Sequence, residues 1–548
     1  MELLIAAVTL VAAIYAVVPR ARQLNWQLRV GFFDWVVVAV ASLVVFYLEF
    51  NDFCSSRGWV IPRPWPHGIT PQNTIYLVLL VAALILAFRL RFKRLSSRKI
   101  RNFRELVEQL YWDESYGELF VVLQNNLAEL FRIAGSDFAL SRLRSRLRRS
   151  SGNLTHGELL RLVNAIRGRK ISTTKTKRYL PGFFRAIERK VSIQLLRFLP
   201  EHDAAQSTAQ EVVREILLSP RFMKALVRTR PYLGLDIIRQ MSHSHERHGF
   251  ISLYLSELAR DTTTVFYEEI ANNQNLLSSH RYVLPESNRL LHFLLSDAKF
   301  AHDNAVYKPI GDYALRYLDE LARDPPNDPY NRTMDDVPDP GAWESPIYAT
   351  VRFFDIMVEE ALYQKYPWHM WLYYMPLIVK KVARNYRLVD PLATPDADFP
   401  IRYSFLLYEI FSALSHWVEE LEHVPIDQQN VVLHSTRADH ENGNIPKSGI
   451  LALCECARLV LESDNLTPRL KHYLMDMVFR LYFDLRLKDT LLGYATVLRN
   501  AIVRGGTYAP QNDRKYRDAL VTAFEGEQSE YYIKYPAPLV AELEAAIH

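Results

Sequence analysis

Glycine is scarce in this sequence, 19 residues in 548 against 28 prolines, and alternating Val/Ile/Thr runs are few beyond the first hundred residues. Hairpins and bulges depend on glycine and half-buried strands on alternation, so a β fold is disfavoured and helices punctuated by proline are expected. Cysteine is scarcer still. Cys54, in a loop, and the close pair Cys454 and Cys456 make no disulfide framework, as expected of a chain whose bulk faces a reducing cytoplasm. Also missing are G-x-x-x-x-G-K-[ST], G-x-G-x-x-G and G-x-S-x-G, so a P-loop, a dinucleotide turn and an esterase elbow find no support. No fixed repeat period is found either, which favours an irregular bundle or solenoid-like stack over a regular array.

What is abundant is apolar material, 49% of the chain with 12% aromatic, enough for a large core. Three stretches carry it without relief: Leu3 to Val18, Phe32 to Leu48 with Asp34 as its only charge, and Ile75 to Phe88. The last runs IYLVLLVAALILAF and then turns into a flank, residues 89–104, with eight Lys/Arg and no acid. Snorkelling Arg89 and Arg91 extend that helix to about 18 residues, long enough to span a bilayer. The loop from Pro19 to Gly31 carries Arg20, Arg22 and Arg29 and no acid, whereas Glu49 to Thr74 balances two Arg with Glu49 and Asp52. The positive-inside bias therefore predicts a multi-pass inner-membrane protein, amino end outside, with the remainder cytoplasmic. No charge pair is expected within the membrane, which argues against transport.

The fold class expected is all-α: a three-helix transmembrane anchor at about 3–18, 32–48 and 74–92, followed by a large cytoplasmic helical domain. Its divisions are an anchor at 1–95, a basic then mixed helical region at 96–323, a Pro/Asp linker at 324–344 and a C-terminal helical region at 345–548. The linker stretch from Asp324 to Gly341 holds five Pro and five Asp with no apolar periodicity. Tyr366 to Val379, aromatic but flanked by lysines and interrupted by Pro376, reads as a kinked core helix.

Charge is unevenly spread. The net +5 conceals +13 over residues 142–190 and −11 over residues 191–548. Positive charge stacked next to the anchor suits an anionic lipid surface, with Arg89, Arg91, Lys93 and Arg94 and then Arg142, Arg144, Arg146, Arg148 and Arg149 as headgroup contacts. Nucleic acid is disfavoured, since no reader motif accompanies the arginines and aromatics among them are few.

Few constellations could carry chemistry. His243, His245 and His248 form an H-x-H-x-x-H that could wrap a metal if it lay in a turn. It partly resembles the H-x-H-x-D-H of metallo-β-lactamase-like hydrolases, but Arg247 stands where that pattern needs an acid. His416, Glu420 and His423 would share one helix face at the E-x-x-H spacing of di-iron bundles, without a second such motif. Asn272, Asn273 and Asn275, with Arg281 and Asn288, gather hydrogen-bonding groups between two apolar helices, where they either meet a ligand or partner or cap helix ends. Cys454 and Cys456 fall about 200° apart on a helix and read as core thiols.

The expected function follows from architecture. The chain reads as a prokaryotic integral membrane protein whose cytoplasmic helical domain is a sensor or scaffold, a membrane-acting effector triggered by a protein partner or by homo-oligomerisation. No catalytic residue and no cofactor is assigned. The alternative is a metal-dependent hydrolase built on the 243–248 histidines.

Overall fold

A computed structural model describes residues 17–59, 71–92, 95–135, 202–241, 244–276, 284–334, 344–364, 366, 370–419, 445–506 and 514–548. Every regular element among these residues is a helix, so the fold is all-α. Of the three expected spanning helices, the first lies almost wholly outside the described residues. Contact density divides the chain into two compact units, residues 1–243 and 244–548.

The first unit contains α1 (Arg20–Arg29), α2 (Phe32–Glu49), the short α3 (Asn51–Ser56), α4 (Pro71–Phe92), α5 (Ile100–Trp112), α6 (Tyr116–Ala134), α7 (His202–Glu211), α8 (Pro220–Thr229) and α9 (Pro231–Gln240). α2 and α4 lie side by side. Both are long and apolar enough to cross a membrane, and little of either is covered by protein. α6 is the hub of the rest, touched by α1, α5, α7, α8 and α9. Its buried stripe of Leu119, Phe120, Leu123, Leu127 and Leu130 repeats at three-and-four spacing, and Phe120 meets Phe222 of α8 edge-on at 5.5 Å. Arg104 pairs with Glu108 of its own helix and joins α5 to the end of α7 through Glu211, with Glu215 at 3.6 Å.

The second unit is a series of short helices that pack mainly against near neighbours in sequence. They are α10 (Ser244–Arg260), α11 (Val265–Leu276), α12 (Arg289–Leu295), α13 (Ala298–Asp303), α14 (Tyr307–Leu321), α15 (Pro346–Tyr363), α16 (Tyr374–Asn385), α17 (Arg402–Glu419), α18 (Ile445–Glu462), α19 (Pro468–Arg486), α20 (Leu492–Arg504), α21 (Arg514–Lys534) and α22 (Ala537–Ile547). Proline sets several starts. Ser219, Ser345 and Thr467 each stand before a proline at the first helical position and accept a hydrogen bond from the amide three residues on, at 3.2, 3.1 and 3.3 Å. At the other end of α20, Gly505 closes the helix in the left-handed region, φ +81, which suits glycine.

Two local expectations change, and the stretch expected as a linker is described in part. Pro376 does not kink a long helix: it occupies the first turn of α16, where its missing N–H breaks no intrahelical bond. The histidine segment is no turn from Ser244 onward, because α10 begins there. The stretch 324–344 is bonded into the second unit over its first part, with Asp328 buried beneath Tyr403 Oη at 2.7 Å and Asn331 donating to the Asn385 carbonyl at 3.2 Å.

Between α15 and α17 lies a buried charge cluster. Arg352 reaches Asp355 at 3.1 Å, pairs with Glu409 across the helix interface, and donates to Tyr348 Oη at 3.3 Å. Trp417 donates to the other oxygen of Asp355 at 2.8 Å. Burial works against the Arg352 charge, but Tyr348 and Asp355 outweigh it and hold the guanidinium above its usual range. Arg352→Met strands Asp355 and Glu409 in the core and should lower unfolding free energy by about 3–5 kcal/mol. A fall in Tm of the full-length protein is the readout; an unchanged Tm would mean that water reaches the carboxylates.

Candidate functional site

The segment from Pro19 to Gly31, expected as a loop, folds instead as α1 with Ala21, Asn25 and Leu28 buried at positions i, i+4 and i+7. That spacing puts all three on one helical face, which packs on α6, while Arg20 and Arg22 are exposed, Arg20 lying 3.7 Å from Glu118 of α6. Asn126 of α6 donates to Asn25 Oδ1 at 2.7 Å and to its own helix at the Val122 carbonyl at 2.8 Å.

At the foot of the two apolar helices, charged side chains take up helix ends. Arg29 donates to the Leu90 carbonyl in the last turn of α4 at 2.9 Å, and its other terminal nitrogen lies 3.5 Å from the Asn125 carbonyl of α6. Lys99 donates to the carbonyl of Val30, which caps α1, at 2.6 Å. Asp34 accepts from the Gly31 amide at 2.7 Å, capping α2, and from Arg89 of α4 at 2.8 Å. The last four carbonyls of a helix and its first amides have no intrahelical partner, so the bonds to the Leu90 and Val30 carbonyls and from the Gly31 amide satisfy groups the helices cannot. Burial pulls the Arg29 pKa down, yet an arginine starts so high that it stays charged. Together these bonds tie α1, α2, α4 and α6 at one level.

Asp34 and Arg89 form an ion pair at the ends of the two apolar helices. α2 begins where α4 ends, so the third residue of one helix reaches the fourth from last of the other. Arg89, expected at lipid headgroups, also lies over the Phe33 ring at 4.3 Å. Arg91 lies in α4, and Lys93, Arg94 and the basic stretch with Arg142, Arg144, Arg146, Arg148 and Arg149 fall outside the described residues.

The asparagine joint assembles around a residue the sequence reading passed over, Glu269. Its carboxylate accepts from the amides of Leu290 and Leu291 at 3.0 and 2.9 Å, holding the start of α12. Asn288 donates to the Glu269 carbonyl at 3.2 Å, and Asn272 donates to Asn288 at 2.5 Å. Asn273 and Asn288 are buried; Asn275 lies in α11, and Arg281 is outside the described residues.

The remaining histidines disperse. His245 is exposed, His248 lies 2.7 Å from the Asp303 carbonyl, and His243 is outside the described residues. His416 meets Glu359 of α15 at 3.3 Å, while Glu420 and His423 are not described. Among the described residues no group of three or more His, Cys, Asp or Glu is placed to hold a metal ion. Cys454 and Cys456 are both fully buried, and burial pushes both thiols well above their usual range, away from reactive thiolate.

No family model matches the chain, and no curated protein matches it. One solved structure, a circular tandem repeat protein with novel repeat topology and enhanced subunit contact surfaces, aligns over 94% of this chain and 96% of its own at 13% identity. The TM-score is 0.29, and a likeness of that size supports neither a fold assignment nor a function.

The sequence signal for the junction was a lone charge, Asp34, inside an otherwise apolar run. Such a residue asks for a partner, and here the partner is the first basic residue after another apolar run. Arg29→Ala should raise amide hydrogen exchange at the ends of α1 and α4 by about tenfold, on the scale of one charged hydrogen bond, and leave exchange in α15 unchanged. Unchanged exchange at both helix ends would show that Arg29 is not the tie.

Proposed function

We propose that this protein is a multi-pass membrane protein whose helical body recognises a partner and passes that event to its spanning helices through α1. The observation that carries the reading is the contrast along α2 and α4. Their sides are bare apolar surface, with Phe32 85% exposed, Trp35 66% and Phe88 66%, whereas their feet are fixed by Arg29, Asp34 and Arg89. A helix that is apolar all round needs either a protein core or lipid around it, and these two have little protein cover. Neighbouring Leu80, Leu84 and Val81 on α4 are equally bare.

The topology in this proposal puts the amino end and the loop after α2 outside and α1 and the helices after α4 in the cytoplasm, following the basic flanks. Anionic headgroups meet Arg91, Lys93, Arg94 and the basic stretch 142–149. A protein partner or a second copy engages the helical body, and the rigid tie at α1 turns a shift of α6 into a tilt of α2 and α4. Shear of packed helices is an established mode of such transmission.

Topology is tested at Ser56, exposed at the end of α3, because Cys54 beside it is buried and a poor probe. With the three native cysteines replaced by serine, Ser56→Cys should react with a membrane-impermeant thiol reagent on intact cells, and the protein should stay in the pellet after alkaline carbonate extraction. Labelling only after permeabilisation would overturn the orientation, and release by carbonate would overturn the anchor.

A further inference from the structure

The second unit holds a cavity of about 310 Å³ near the start of α15, the start of α17 and the turn at Pro329–Asn331. Its walls are aromatic, formed by Tyr317, Tyr330, Tyr348 and Phe405. These rings are held in place. Tyr348 lies nearly parallel to Phe405 with centroids 6.2 Å apart, Tyr330 stacks on Tyr403 at 5.2 Å, and Tyr317 meets Tyr330 edge-on at 6.4 Å. The hydroxyls of the two buried tyrosines are engaged: Tyr330 with Ser345 at 2.6 Å, and Tyr348 as acceptor from Arg352. The charged side chains of the lining are Arg402 and Glu344. Arg402 opens α17, and its backbone amide is fixed on the Arg332 carbonyl at 3.0 Å.

Walls already ordered by their own packing take little further entropy loss when a ligand enters. The volume sits at the small end of ligand pockets, which run from roughly 300 to 1,000 Å³. One cation and one anion beside an aromatic slot select a small molecule that carries both opposite charges and an apolar body. We propose that this cavity binds a free α-amino acid with an aromatic or large aliphatic side chain. The side chain lies against the tyrosine and phenylalanine rings, the Arg402 guanidinium takes the carboxylate as a two-pronged donor, and the Glu344 carboxylate takes the ammonium. The proposal stands on the second unit alone and does not depend on the membrane reading.

The test uses the full-length protein in detergent with three probes: L-phenylalanine, phenethylamine, which lacks the carboxylate, and 3-phenylpropionate, which lacks the ammonium. L-phenylalanine should raise Tm saturably, as ligand linkage requires, and each truncated probe should bind at least about tenfold more weakly. Arg402→Gln should erase the preference over phenethylamine, and Glu344→Gln the preference over 3-phenylpropionate. Titration calorimetry well below the melting range of each variant separates lost binding from lost folding. Absence of saturable heat with both L-phenylalanine and L-leucine would overturn the proposal, as would Arg402→Gln retaining the parent preference. Equal binding of 3-phenylpropionate would overturn the zwitterion in favour of a simple anion site.

Discussion

The first unit depends on how helix ends are satisfied. α2 starts and α4 ends where apolar surface gives way to charge, and there the orphan amides and carbonyls of both helices face neither lipid-like side chains nor one another. Asp34 takes the Gly31 amide at the start of α2 and also pairs with Arg89, Arg29 takes a carbonyl at the end of α4, and Lys99 takes the Val30 carbonyl that caps α1, so the same side chains serve capping and tertiary contact. An alanine at any of these places would leave a helix end loose as well as remove a contact. The tie at Arg29 between α4, α1 and α6 is therefore made by hydrogen bonds, which are directional, as well as by packing, which is not.

The second unit applies the same rule in its interior. Glu269 caps α12 from the side of α11, and Arg352 draws Asp355 and Glu409 into one cluster between α15 and α17. Buried charges of this kind add little net stability compared with apolar packing, but each one fixes a register, because its partners are single atoms. Short helices joined by prolines would otherwise slide along one another. Buried tyrosines serve similarly: Tyr516 donates to the Ile502 carbonyl and Tyr267 to the Ala259 carbonyl at 2.5 Å, so large rings pack while their hydroxyls tie off helix ends.

Much of this was legible in the chain. Apolar residues at three-and-four spacing run through α5, α6 and most helices of the second unit, and a Ser-Pro or Thr-Pro pair stands at three helix starts. α1 was missed because its periodic residues are only Ala21, Asn25 and Leu28, too few and too polar to stand out from a basic loop. α10 and α11 are separated at Asp261–Thr264, where Asp261 accepts from the Thr263 amide at 3.1 Å and Thr264 donates back to the Leu258 carbonyl at 2.8 Å. Side chains that bond their own backbone in this way compete with helix continuation, and composition alone does not reveal which of them win.

The sequence by itself determined the helical class, the two bare apolar helices and the absence of familiar catalytic motifs, because those rest on periodicity and composition, which are local. Only the tertiary structure decided the pairing of Asp34 with Arg89, the gathering of Asn272 and Asn288 around Glu269, and the meeting of Tyr317, Tyr330, Tyr348, Phe405 and Arg402 at one cavity. Residues 55, 16 and 85 positions apart come together there, and no local pattern specifies which distant groups will share a space. That choice belongs to packing: once the apolar stripes dock, each remaining polar group takes whichever partner lies within hydrogen-bond reach.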